Sequence, residues 1–129
     1  MTWYAASVIM SARFLDGNQD KYPIYENVIL IEASNEEEAL VKIKARARED
    51  EIDSSGNLTW CGRAATMVYA GIRKLITCQP SATALAEGAS ANTRPTDGTE
   101  ITYSQMVVST SEDFDKLLRG DPVTVLYEE

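Results

Sequence analysis

The sequence predicts an α+β domain: a mainly antiparallel sheet of about five strands, in the order β-β-α-β-β-α-β, curved around one long amphipathic helix. Three observations lead there. Residues 3–14 alternate with period two, and the even positions Tyr4, Ala6, Val8, Met10, Ala12 and Phe14 are apolar, the pattern of a half-buried strand. Residues 34–51 combine a helix start signal with apolar residues at helical spacing. The other strand-like segments are joined by short direct links, so neighbours pair antiparallel and the helices gather on one face.

After the first strand, "DGNQDKYP" at 16–23 supplies turn chemistry. Tyr22–Glu32 reads as the second strand, and its core "NVILIEA" is apolar on both faces, so the two strands make a hairpin. In "SNEEEALVKIKARARED", Ser34 with Glu37 forms a capping box, and Glu36–Glu38 sit at the positive end of the helix dipole. Ala39, Leu40, Ile43 and Ala47 form the apolar stripe, while Lys42, Lys44, Arg46 and Arg48 crowd the later turns. The helix Asn35–Glu51 runs for about four turns.

"DSSGN" at 53–57 ends it. Leu58–Thr77 has β character interrupted by Gly62 and Gly71, which predicts one long bulged strand or two short ones. Pro80–Gly98, rich in Ala, Ser, Thr and Gly, is expected as a mobile loop with one helical turn near Ser81–Glu87. Glu100–Val108 reads as a strand, Ser111–Leu118 as a short helix capped by Ser111 or Thr110, and Val123–Tyr127 as a terminal strand.

At 129 residues the chain is expected to form one domain, 1–129, able to bury a core without disulfides or a structural metal. Twelve basic against twenty acidic residues leave a net charge of −8, which opposes nucleic acid and anionic lipid as partners. The apolar stretch Trp3–Met10 is too short to span a bilayer and too alternating for an export signal. The expectation is a cytoplasmic protein with both cysteines as thiols, Cys61 small and buried in a strand, Cys78 idle at the start of a loop.

The chain has no histidine, so histidine-dependent triads and most catalytic zinc sites are excluded. Asp16, Asn18 and Asp20 imitate the start of a calcium loop, but Lys21 stands where that loop needs glycine and Asn27 where it needs glutamate. The acidic runs Glu36–Glu38 and Glu49–Asp53 belong to the two ends of a helix rather than to a carboxylate pair. Neither glycine-rich phosphate motif is present. No catalytic residue, metal ligand or cofactor is therefore expected.

What remains is "GIRKL" at 71–75, with Arg73 and Lys74 adjacent. On a regular strand they point to opposite faces; a bulge at Gly71 brings them onto one. A strand carboxylate such as Glu100 is the expected partner. Two functional classes stay open. The favoured one is a non-catalytic interaction or binding module that uses a sheet face or edge. The alternative is a small-molecule or anion-binding protein, with Arg63, Tyr69, Arg73, Lys74 and Tyr103 around a pocket in the curved sheet. Apolar residues on both faces of the second and third strands imply that a partner subunit covers the second face, hence a homodimer.

"WYAAS" at 3–7, "ILIEASNEEEAL" at 29–40, "YAGIRKL" at 69–75 and "DGTEITYSQM" at 97–106 resemble the bacterial family catalogued as domain of unknown function 4288. The resemblance implies a small stand-alone or appended cytoplasmic domain with no assigned activity, and it supplies no catalytic residues. The stretch Ser81–Pro95 departs from it, because the resemblance implies a tighter link there.

Overall fold

The computed structural model describes residues 1–51, 58–79, 82–88 and 94–128. Two long strands open the chain, β1 (Thr2–Phe14) and β2 (Ile24–Ala33), paired antiparallel from Thr2 opposite Ala33 to Ser11 opposite Ile24. Helix α1 (Glu36–Glu49) follows, then β3 (Thr59–Trp60), β4 (Arg63–Thr77) and the short α2 (Ala82–Ala86). Strand β5 (Met106–Val107), helix α3 (Ser111–Arg119) and β6 (Leu126–Tyr127) complete the order.

The α+β class and the antiparallel pairing agree with the sequence reading; the size of the sheet does not. The main sheet has four strands in the order β2-β1-β4-β3, and β5 and β6 pair only with each other in a second, two-stranded sheet. The C-terminal segments hold just two residues each in regular pairing, too few to extend the main sheet. Nor is the long amphipathic helix borne out. Helix α1 has 14 residues and buries only Ala39, Ile43 and Ala47. Its cap is Asn35 rather than Ser34: the Asn35 side chain accepts a 2.8 Å hydrogen bond from the Glu38 amide, and Asn35 itself is extended.

The even face of β1 makes the core. Ala6, Val8 and Met10 pack with Ile31 and Ala33 of β2 and with Ala39, Ile43 and Ala47 of α1. Alanine at two of the three helix positions lets the helix sit close to the sheet, so Ile43 and Met10 become the largest fully buried side chains. A second cluster, Ala12, Phe14 and Ala65 with Leu58 and Trp60, lies beneath the β3–β4 hairpin. That hairpin turns on Cys61 and Gly62, with φ of 48° and 79°, the left-handed pair that suits a two-residue turn between twisted strands. The expected roles of the cysteines are thus reversed: Cys61 is exposed at the turn and Cys78 is buried, and burial pushes the Cys78 thiol pKa up.

Strand β4 carries two bulges. Ser7 faces Lys74 but Val8 faces Ile72; Ile9 faces Gly71 but Met10 faces Tyr69. Arg73 and Ala70 are the extra residues, and each bulge resets which parity faces α1, so that Met67, Tyr69, Ile72 and Leu75 all pack toward the core.

The second face is shared. The chain's own C-terminal part reaches its β4 side, through Tyr103 against Lys74 and Tyr127 against Arg73. On the β2 side, Ile24, Val28 and Leu30 stay 63%, 42% and 39% exposed. Of the loop expected over 80–98, α2 realises the helical turn, while 80, 81 and 89–93 lie outside the described residues, as does "DSSGN" at 53–57. Among the described residues no helix is long and apolar enough to cross a membrane.

Candidate functional site

The five residues singled out from the sequence fall in three places. Arg63, first in β4, lies flat over the Phe14 ring at 3.6 Å. Its Nη1 donates to Asp20 at 2.7 Å, its Nε and Nη2 to Asp16 at 2.9–3.1 Å, and Nη2 also to the Asn18 carbonyl at 2.7 Å. The guanidinium fork is engaged on every side, which makes it the clasp of the β1–β2 loop. The hydrogen bonds from the Asn18 amide and from Arg63 hold the Asp16 carboxyl below its ordinary pKa; Arg63 does the same for Asp20.

Tyr69 lies further along the helix-facing side of β4. It packs against the core, its ring is approached by Arg48 at 5.8 Å, and its amide donates to the Glu51 carboxylate at 3.0 Å.

Arg73, Lys74 and Tyr103 meet on the second face. Arg73 pairs with Glu26 of β2 at 3.0 Å and lies over the Tyr127 ring at 4.2 Å. Glu26 stands opposite Ile9 and Lys74 opposite Ser7, so both cations work on the same side of the sheet, as the bulge hypothesis required. The bulged residue is Arg73 itself, with Gly71 in register between the two irregularities. Lys74 donates to the Tyr103 carbonyl and lies 4.3 Å from the centre of its ring. Two adjacent cations thus clamp two C-terminal tyrosines rather than one anion. Among the described residues Arg73 has Glu26 as a carboxylate partner, invisible to sequence reasoning because nothing in the chain specifies which acid of the neighbouring strands lies across two ladders.

A different feature has the form of a binding surface. Where β2, the outermost strand, passes α1, a groove of about 580 Å³ is lined by Trp3, Leu30, Ile31 and Glu32 on the strand side and by Lys42, Ala45, Arg46 and Glu49 on the helix. A smaller recess of about 300 Å³ continues it toward Asp50. The small side chain of Ala45 opens the groove, and the Lys42 ammonium is drawn to its edge by the Glu32 carbonyl at 2.8 Å and the Glu38 carboxylate at 3.4 Å. On its strand wall, the buried Trp3 indole N–H has no hydrogen-bond partner among the described residues, a costly state for a buried donor. The sequence signal for this groove is Ala45, an apolar residue off the core stripe of α1; without the strand order it could not be tied to β2.

The sequence model of the domain of unknown function DUF4288 matches residues 3–102. The chain belongs to the DUF4288 family. The match takes in α1, α2, all of the four-stranded sheet but Thr2, and the first six residues of "DGTEITYSQM". Strands β5 and β6 and helix α3 lie beyond it, so within this DUF4288 chain the matched residues Arg73 and Lys74 hold partners from outside the matched region. No curated protein and no solved structure matches the chain.

Proposed function

We propose that the protein is a non-catalytic interaction module, that its working surface is the outer side of β2 with the adjoining α1 groove, and that it acts as a homodimer in the cytoplasm. The observation that carries this reading is the apolar strip Ile24, Val28 and Leu30, all on one face of an outermost strand ten residues long. A long outer strand with exposed apolar side chains invites pairing or docking, and proteins that do not use such an edge blunt it with charge, proline or bulges. Strand β2 is regular throughout its pairing with β1, and the charges it carries are Glu26, engaged by Arg73, and Glu32 at its far end.

The alternative, a small-molecule or anion site built on Arg63, Arg73 and Lys74, finds less support. Each of the three is engaged by groups of the chain itself. The cleft of about 430 Å³ beside Tyr103 is lined by Ile76, Thr77, Gln79, Ala82, Gly98 and Glu100 and contains none of them.

Light scattering over a range of concentrations tests the proposal. The expected result is a dimer that Leu30→Glu converts to a folded monomer. A wild-type chain of monomer mass throughout, up to high micromolar concentration, removes the homodimer from the account.

A further inference from the structure

Each backbone group of β2 faces either β1 or the sheet's outer edge, and three hydrogen bonds fix which. The Ala12 amide donates to the Pro23 carbonyl at 3.2 Å and, on the other side of β1, the Cys78 amide donates to the Trp3 carbonyl at 2.9 Å. Even residues of β1 therefore bond toward β2 and odd ones toward β4. In the observed register Tyr25, Asn27, Ile29, Ile31 and Ala33 direct their backbone groups at β1, and Ile24, Glu26, Val28, Leu30 and Glu32 turn theirs outward. Lys42 confirms the phase, because its ammonium reaches the outward Glu32 carbonyl at 2.8 Å.

Among the described residues β4 pairs with β3 only at Arg63 and Ala64, so the main sheet has a second long edge, and that one is protected. Two bulges break its line at Ala70 and Arg73, and the Glu51 carboxylate covers the outward Tyr69 amide at 3.0 Å. Bulges and charged groups are the devices that keep an edge from pairing. Between Ile24 and Leu30, β2 has no bulge and no proline, and its charge there, Glu26, is held by Arg73. One edge closed and the other left open marks β2 as a pairing edge.

The open stretch is complementary to itself. Two copies pairing antiparallel about a two-fold axis have few registers to choose from. Centred on Glu26, the pairing sets that residue opposite its own copy, like charge against like. Centred on Val28, it sets Ile24 opposite Glu32, whose carbonyl Lys42 already holds. Centres nearer either end leave outward residues facing chain outside β2. Centred on Asn27, the pairing uses Ile24, Glu26, Val28 and Leu30 and no other outward residue: Ile24 meets Leu30 of the second copy, and Glu26 meets its Val28. The apolar side chains of Ile24 and Leu30 then pack across the seam, and each Glu26 keeps the Arg73 of its own chain.

We propose that two copies join β2 to β2, antiparallel about a two-fold axis at Asn27, so that their main sheets become one continuous sheet. This rests on the homodimer reading and gives it a strand order and a register.

Val28→Pro removes an outward amide without touching the β1 ladder. In sedimentation of the full chain it should weaken the dimer at least tenfold, with the circular dichroism of the fold retained, while Val28→Thr keeps the dimer. Cysteine cross-linking reads the register in a Cys61→Ser background, where the remaining Cys78 is buried. Asn27→Cys should form a dimer disulfide on oxidation, because at the axis it meets its own copy in a non-hydrogen-bonded pair with Cα atoms about 4.5 Å apart. Tyr25→Cys and Ile29→Cys should cross-link only when mixed with each other. If Leu30→Glu dissociates the dimer while a folded Val28→Pro leaves it intact, edge pairing is overturned and the β2 surface stands. Should Val28→Pro not fold, the cross-links alone decide. Failure of Asn27→Cys to cross-link, or cross-linking of Tyr25→Cys alone, overturns the proposal, and a monomeric wild type overturns both readings.

Discussion

Arginine and lysine do different work at the few places where this acidic chain places them inside its own structure. Arg63 shows the arginine case: one planar group stacks on Phe14 and bonds to Asp16, Asp20 and a backbone carbonyl at once, which a lysine cannot do. Arg63→Lys should therefore resemble Arg63→Ala, lowering the melting temperature and speeding proteolysis within residues 15–23. The lowered pKa values of Asp16 and Asp20 fix the sign of the pH dependence. Their stabilising effect is fully present above the ordinary aspartate value of about 3.9 and is lost as pH falls through the lowered values. Acid titration followed by protease sensitivity of the loop should show this loss in the wild type and a flatter response in Arg63→Ala. Arg73→Ala removes a half-buried ion pair and a ring contact together. It should cost about 1–2 kcal/mol and release the C-terminal segment, read as faster cleavage near residues 120–125. Unchanged stability of Arg73→Ala/Lys74→Ala would instead revive the anion-site reading.

At the level of elements, α1 is held by a narrow stripe, so single positions matter. Ile43 is fully buried between two alanines, and Ile43→Ala should cost about 2–5 kcal/mol, measured by urea unfolding. Asn35→Ala should cost about 1 kcal/mol, whereas Ser34→Ala should cost little, since the cap bond comes from Asn35. This is also the scale at which the sequence was most and least informative. Strand β1 and the start and stripe of α1 were legible because alternation, capping and helical spacing are local signals. The ends of α3 were legible for the same reason. The four-plus-two division of strands was not, because "EITYSQMVV" and "VTVLY" carry strand-like composition whether they join a large sheet or pair with each other. The bulges were half legible: Gly71 announced an irregularity, but only the register against β1 shows that Arg73 and Ala70 are the inserted residues. The Cys61–Gly62 turn was missed because cysteine is an uncommon residue at a positive φ.

For the whole molecule, the net charge of −8 hides an internal arrangement. Basic residues gather in the later turns of α1 and in β4, acidic ones at both ends of α1, at the start of α3 and in the C-terminal part. The five candidate site residues fall in three separate places, and a groove that joins apolar and charged residues lies at the outer strand instead. Because like-charged copies repel at long range, salt should strengthen an association carried by the apolar strip Ile24, Val28 and Leu30.

The most direct test is sedimentation velocity of the wild-type chain beside Leu30→Glu across a hundredfold range of concentration. The account predicts a wild-type dimer that dissociates on dilution and a variant that stays monomeric and folded. A wild-type chain that sediments as a monomer throughout contradicts it.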